Sequence, residues 1–191
     1  MRIRLSGWRK TAARLSLAAA IALGGYLAVL QLTGNVHEVL PGRLYRSATL
    51  SPERLARLVD DKGIRTIVNL RGEHPDSAWF QEEQRVARMK HVRLVSLSWS
   101  ASRPLSDSKV QRFFRVVGGL EEPILIHCRS GSDRTGLASA LYLARAAGAD
   151  EETAESQLSI FYGHVGLPFF PAFPMDQTFE RLEPALGYPN S

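Results

Sequence analysis

A lone cysteine, Cys128, stands six residues before an arginine in His127-Cys128-Arg129-Ser130-Gly131-Ser132-Asp133-Arg134-Thr135-Gly136. The spacing alone means little, since an arginine follows any cysteine at a given offset in roughly one case in twenty on average composition. Its surroundings give it meaning. Pro123 to Ile126 is a short apolar run that reads as a strand, and Leu137 to Ala147 reads as a helix, so the loop between them leaves a strand end and enters a helix N-terminus. In such a loop the backbone N–H groups of Arg129 to Arg134 can converge on an anion, with Gly131 relieving the tight turn. The positive end of the helix dipole is aimed at the same spot. A phosphate cradled by Arg129, Ser130, Gly131, Ser132, Asp133 and Arg134 is gripped by the Arg134 guanidinium, whose planar fork matches two phosphate oxygens. The same field favours the thiolate form of Cys128, which is the nucleophile. Sulfur attack on phosphorus gives a phosphocysteine that water then hydrolyses. A buried structural cysteine would explain neither Arg134 nor the glycines.

The elements that must position this loop are legible as an alternation. Arg43 to Ser47 reads as a strand. Ser51-Pro52 supplies an N-cap and an N1 proline for a helix with Leu55, Leu58 and Val59 on one face, ended by Gly63. Arg65 to Leu70 is a β-branched run, Trp79 to Lys90 a helix, Val92 to Leu97 a strand and Ser98 to Ser108 a polar loop. Val110, Phe113, Phe114 and Val117 then recur at helical spacing up to Gly118-Gly119. Strands alternating with helices predict an α/β fold, with a mainly parallel central sheet flanked by helices, and ligands bind beyond the carboxyl ends of such strands. Phe169 to Pro174 is too proline-rich for a regular element and is expected to pack as an irregular cover. No second catalytic domain and no repeat are evident.

Through His127-Cys128, Arg134-Thr135-Gly136 and the five residues between, the sequence resembles the cysteine-dependent tyrosine and dual-specificity phosphatases, over about Leu44 to Gly163. Leu44-Tyr45-Arg46-Ser47, Asn69-Leu70-Arg71 and Tyr162-Gly163-His164 are similar to a bacterial branch of these enzymes. The resemblance implies a metal-independent phosphomonoesterase of dual-specificity type, with no cofactor. In it the Thr135 hydroxyl would steady the sulfur leaving group and His127 would orient the loop from behind, with Gly136 completing the motif. Many members carry the general acid as Trp-Pro-Asp on a separate loop, but the matching stretch is Ser98-Trp99-Ser100-Ala101-Ser102-Arg103-Pro104, without an aspartate. Asp133 is the favoured proton donor, as in myotubularin-like lipid phosphatases; the alternative is that it only braces the loop. Asp107 is the other candidate acid, although Ser106-Asp107 also reads as a helix cap. Arg129 and Arg71 are each open between contacting an anionic group and lying on the surface, Arg71 beside Glu73. His164 reads as a structural histidine, and His37, His74 and His91 lack metal-ligand spacing.

The 191 residues carry 24 basic against 19 acidic groups and 45% apolar residues, which suits one ordinary globular domain. One cysteine cannot close an internal disulfide. Arg2, Arg4, Arg9, Lys10 and Arg14 all precede the first acidic residue, Glu38, so the remainder is formally neutral at 19 against 19. The excess charge therefore belongs to a tail and not to a nucleic-acid surface, and nucleic acid is not an expected partner. Leu15 to Leu32 follows without a charge and as a helix extends roughly 27 Å, just enough to cross a bilayer. No small-x-small cleavage site follows, so an uncleaved signal anchor is preferred over a cleaved signal peptide. The expected organisation is a basic cytoplasmic tail (1–14), a transmembrane segment (15–32), a connector (33–42) and a phosphatase domain (43–191). The positive-inside rule puts that domain outside the cytoplasm, in the periplasm of a Gram-negative cell. The expected substrates are phosphotyrosine or phosphoserine/threonine proteins, or a lipid or sugar phosphate at the membrane. The competing readings are a catalytically silent, membrane-tethered phosphate-binding module, which has no need of the nucleophile, and a sulfurtransferase, against which the Arg-Thr-Gly helix entry speaks.

Overall fold

The computed structural model describes residues 5–188, so Arg2 and Arg4 of the basic tail lie outside the described residues. The chain divides into two compact units, Met1–Thr33 and Gly34–Ser191. The first is helix α1, Leu5–Thr33. Its 26-residue stretch Trp8–Thr33 contains an 18-residue window of mean hydropathy 1.9 and is long and apolar enough to cross a membrane, a criterion that a signal sequence also meets. The helix starts earlier than the apolar run, so Arg9, Lys10 and Arg14 of the expected tail are helical.

The second unit is built on a five-stranded sheet of order β1-β2-β5-β3-β4. Its strands are β1 (His37–Leu40), β2 (Leu44–Ser47), β3 (Thr66–Asn69), β4 (Arg93–Ser96) and β5 (Ile124–His127). The last four run parallel, and β1 lies antiparallel to β2 at the edge. The mainly parallel α/β sheet expected from the alternating pattern is the observed one. β1 corrects the connector expected over 33–42. Its four residues include two polar ones and offer no apolar run to read, and pairing across the Pro41-Gly42 turn is what makes them a strand.

Buried alternation sorts the helices onto two faces. Tyr45, Ile67 and Leu125 pack with Leu55 and Val59 of α2 (Pro52–Lys62) and Val86 of α3 (Ala78–Met89). Leu44, Val68, Ile124 and Ile126 face Val110 and Phe113 of α4 (Asp107–Val117), Leu137 and Leu141 of α5 (Asp133–Tyr142), and Phe179 of α7 (Pro174–Leu186). The short α6 spans Glu151–Glu155. α2 begins as its sequence indicates, with the Ser51 hydroxyl accepting from the Arg54 N–H, and ends at Gly63 in the left-handed region. α5 continues as a π-helical turn through Ala147 to a left-handed Gly148. Its start is four residues earlier than expected, so Asp133, Arg134 and Thr135 form its first turn.

Register aligns the site. Ser47, His127 and Asn69 are partners across β2, β5 and β3, and Asn69 pairs with Ser96 of β4. Four strands therefore end at one edge, and residues 128–132 leave from its middle. One expectation fails at the far end of the chain. Residues 169–173 are irregular and Pro174 opens α7, and the two phenylalanines do not cover a core, since Phe169 is 79% exposed and Phe170 41%.

Candidate active site

Cys128 is a free thiol with 1% exposure, immediately beyond β5. The carbonyl of every residue from Cys128 to Ser132 is bound from outside the loop or by the helix behind it. Thr49 Oγ1 donates to Cys128 O at 2.9 Å, and the Thr49 N–H donates to Arg129 O at 3.2 Å. Asn35 Nδ2 donates to Ser130 O at 3.1 Å. Arg46 Nη2 donates to Gly131 O at 2.9 Å and Ser132 O at 3.2 Å, and the Gly136 N–H donates to Ser132 O at 2.7 Å. In a planar trans peptide the N–H points opposite to the C=O. Five outward carbonyls thus leave the N–H groups of residues 129–133 turned to the inside of the loop, as an anion cradle requires.

Gly131 is indispensable to this wrapping. Its φ is +73°, and a Cβ there would stand 2.6 Å from the Ala48 nitrogen and the Ser47 carbonyl carbon. Gly136 lets α5 approach the 157 region, where a Cβ would meet Gln157 O at 2.6 Å.

Arg46, from β2, is the side chain that fastens the loop from behind. It is fully buried, stacks on the Tyr162 ring at 3.8 Å, and its Nη1 donates to both Gln157 O and Gln157 Oε1 at 2.9 Å. Burial pulls its pKa down to about 10, against the charges of Tyr162, Cys128 and Asp133. Asn35, in the expected connector, is almost as important: its Nδ2 also donates to Tyr162 O at 2.9 Å, and its Oδ1 lies 2.9 Å from His37 Nε2.

On the open side, Arg134 projects from the first turn of α5. Its Nη1 donates weakly to Trp99 O at 3.4 Å, and its buried Nε has no partner among the described residues. Arg71 sits where β3 ends. Asn69 shapes that turn by accepting from the Arg71 N–H at 2.8 Å and donating to Gly72 O at 3.0 Å. The guanidinium of Arg71 stacks on Trp79 at 3.4 Å and donates to Thr49 Oγ1 at 3.0 Å, two hydrogen bonds from Cys128. Burial, then the charges of Arg134 and Arg129, lower its pKa. The alternative of a surface pair with Glu73 is not seen; among the described residues no carboxylate lies within ion-pair distance of Arg71, Arg129 or Arg134. Arg129 is exposed.

The remaining candidates are distributed as follows. The Ser130 and Ser132 hydroxyls bond each other at 2.6 Å. The Thr135 hydroxyl is buried without a hydrogen-bond partner among the described residues. His127 is buried, and its Nε2 lies 2.7 Å from Glu83 Oε1 of α3. Asp107 opens α4 and is ion-paired with Arg181, its side chain 72% exposed. Asp133 is bound to buried His164 at 2.8 Å. Among the described residues no group of three or more His, Cys, Asp or Glu side chains is arranged to hold a metal ion.

A parallel sheet that delivers a cysteine into a six-residue anion cradle closed by an arginine defines the class of cysteine-dependent phosphatases. The chain belongs to the family described as DSP-PTPase phosphatase fused to NAD+ kinase, whose model matches residues 31–163. It is 31% identical over 126 residues to the dual specificity protein phosphatase TpbA of Pseudomonas aeruginosa (strain UCBPP-PA14), a match covering 65% of this chain and 53% of that protein. The chain thus spans about half the length of the curated relative. Among solved structures, a TpbA variant in complex with phosphotyrosine superposes with a TM-score of 0.59 at 23% identity, covering 83% of this chain and 93% of that one. The core catalytic domain of the PP-IP phosphatase SIW14 from S. cerevisiae, in complex with citrate, gives 0.59 at 18% identity over 81% and 93% of the two chains.

Proposed function

We propose that the protein is a phosphomonoesterase that passes its substrate's phosphoryl group through Cys128. The observation that carries this reading is the outward fixing of all five carbonyls from Cys128 to Ser132, because it supplies inward N–H groups around a nucleophile before any ligand arrives. Such preorganised donors stabilise charge as it develops in the transition state. Arg134, with an unpartnered Nε, takes two equatorial oxygens. Cys128 sulfur attacks phosphorus and the ester oxygen leaves, taking a proton from Asp133. Water then attacks the phosphocysteine, returns the proton to Asp133 and releases phosphate, while the Thr135 hydroxyl, buried and free of other bonds, steadies the departing sulfur. Asp133 is preferred over Asp107 as donor because it shares the turn with Arg134, whereas Asp107 is engaged by Arg181. The silent-module reading is disfavoured because a phosphate binder needs neither a free cysteine nor an adjacent carboxyl group.

The resemblance to dual-specificity enzymes supports phosphorylated tyrosine, serine or threonine as substrate. A second reading has its own observation: the charges of Arg134 and Arg129 reach Arg71, partly offset by Glu83 and Cys128, and none of the three arginines is ion-paired among the described residues, an arrangement that favours a substrate with an additional anionic group, such as a lipid or sugar phosphate. Helix α1 supports attachment to the cell membrane, with Arg9, Lys10 and Arg14 on the cytoplasmic side and the catalytic unit beyond it. The test is phosphate release by the full-length chain from phosphotyrosine, phosphoserine and phosphothreonine peptides, phosphoinositides and phosphatidylglycerol phosphate. Turnover confined to peptides selects the protein reading, and at least tenfold preference for the lipids selects the second. Absence of turnover on the whole panel, with phosphate still bound, returns the silent module.

A further inference from the structure

Asp133 does not stand alone in its turn. Its Oδ1 is 2.8 Å from His164 Nδ1, and the opposite ring nitrogen, Nε2, is 2.9 Å from Asp176 Oδ2 and 3.1 Å from Oδ1. The imidazole has no exposed side-chain surface, while the side chains of Asp133 and Asp176 are 25% and 17% exposed. The three residues come from α5, the segment after Tyr162 and the first turn of α7, so the contact is a product of the tertiary fold. The packing is close as well: a Cβ on Gly166 would approach Asp176 Oδ1 to 2.6 Å.

We propose that His164 is a positioning residue that stores the proton Asp133 delivers, with Asp176 as the fixed anion that keeps the store filled. This rests on the reading of Asp133 as donor. Asp176 lies in the first turn of α7, where the N-terminal dipole favours negative charge, and an imidazole between two carboxylates carries both of its protons. Burial opposes that charge, but the hydrogen bonds and charges of Asp133 and Asp176 outweigh it and raise the His164 pKa to about 9. The charged groups facing the ring are those two carboxylates; Arg46, packed behind the loop, is influenced by both Asp133 and Cys128.

The proton accounting is closed. In the resting enzyme Asp133 is an anion and His164 a cation. When a phosphate dianion enters beside the Cys128 thiolate, negative charge accumulates at the mouth of the loop, and the Nδ1 proton moves to Asp133 Oδ1. The S–P bond forms as the P–O ester bond breaks, and the protonated Asp133 passes its proton to the departing oxygen, leaving His164 neutral. In the second half, water attacks phosphorus, the S–P bond breaks, and the water's proton goes to Asp133 and back to Nδ1. No oxidant, metal or other co-reactant enters.

The test compares phenyl phosphate, whose leaving group needs a proton, with p-nitrophenyl phosphate, whose leaving group barely does, using the full-length chain. His164→Gln should lower kcat on phenyl phosphate by about tenfold or more and on p-nitrophenyl phosphate by less than about threefold. Asp176→Asn, which retains the shape of the site, should move the alkaline limb of the phenyl phosphate profile to lower pH. Gly166→Ala, which crowds the Asp176 carboxylate, should move the limb in the same direction. Equal losses on both substrates, or an unmoved limb in folded Asp176→Asn, overturn the store. If Asp133→Asn is selective for phenyl phosphate while both His164→Gln and Asp176→Asn are silent, the donor stands and the store falls. If Asp133→Asn lowers both substrates equally, the donor reading fails first.

Discussion

The coupling of His164 to two carboxylates has a consequence for stability that is independent of any substrate. In the unfolded chain its pKa is near 6.5; in the fold it is raised to about 9, with burial opposing and the two carboxylates prevailing. A folded pKa above the unfolded one stabilises the fold while the group is protonated in both states, and the contribution is lost as pH rises through the folded value. The shift of roughly 2.5 units corresponds to about 3 kcal/mol at 1.36 kcal/mol per unit. That contribution is present in full below about pH 6, declines by about 1.4 kcal/mol per unit between the two pKa values and is spent above about pH 9. The ring's lack of side-chain exposure leaves little solvent screening to reduce it. The assay is urea unfolding in detergent at pH 6, 7.5 and 9.5, followed by near-UV dichroism, for the wild type and His164→Gln. Groups far from the site titrate alike in both chains and cancel in the difference. The wild type should be the more stable by about 3 kcal/mol more at pH 6 than at pH 9.5. A difference that does not change with pH, or one that grows with pH, refutes the assignment of an imidazolium between Asp133 and Asp176.

Cys128→Ser should abolish phosphate release while vanadate still binds, because the cradle and Arg134 persist without the thiolate; calorimetry and a phosphate-release assay check both halves. Arg134→Lys should lower kcat/KM by at least about a hundredfold, since an ammonium cannot make the two-pronged contact. Arg46→Met should cost about 3 kcal/mol or more in urea unfolding and weaken vanadate binding, because it strands the carbonyls of Gly131 and Gln157, while Ser132 O keeps the Gly136 N–H. A periplasm-dependent reporter fused after Ser191 should be active and a cytoplasm-dependent one silent; the reverse pattern would put the catalytic unit on the cytoplasmic side.

The parts of the fold that were readable in the sequence are those in which one local signal dominates. Ser51-Pro52 before a 3.6-residue pattern, a β-branched Thr66-Ile67-Val68, and glycine at 63 each declare an element boundary within a residue or two. The front of the site was readable for the same reason: Cys128, Gly131, Arg134 and Thr135 are contiguous. What could not be read is what comes from a distance. Asn35 reaches Ser130 across 95 residues, Arg46 reaches Ser132 across 86, and Thr49 reaches Cys128 across 79. Their local trace is Leu44-Tyr45-Arg46-Ser47, where an arginine stands within a wholly buried strand. His164 is the sharpest instance. A structural histidine is a fair reading of Tyr162-Gly163-His164, and nothing near it announces that residues 133 and 176 will meet on its two nitrogens.

The pattern of charge around Cys128 follows from a constraint on where cations can be left. Arg46 is buried and spends its two terminal nitrogens on four carbonyl or amide oxygens behind the loop, so it organises the cradle. Arg134 and Arg71 face the other way. Arg134 has an Nε without a partner among the described residues, and Arg71 is fixed by the Trp79 ring and one hydroxyl without an ion-paired carboxylate, although the Glu83 charge reaches it. Unneutralised guanidiniums set close together repel one another, and the lowered pKa of Arg71 registers that repulsion after the effect of burial. A fold accepts such repulsion where an anion relieves it on binding. Phosphate in the cradle would relieve Arg134 first and Arg71 next. Arg71→Ala should therefore weaken substrates with a second anionic group by about tenfold or more while sparing p-nitrophenyl phosphate, and it should slightly raise the stability of the unliganded protein. Equal weakening of both kinds of substrate would make Arg71 part of the grip on the scissile phosphate itself.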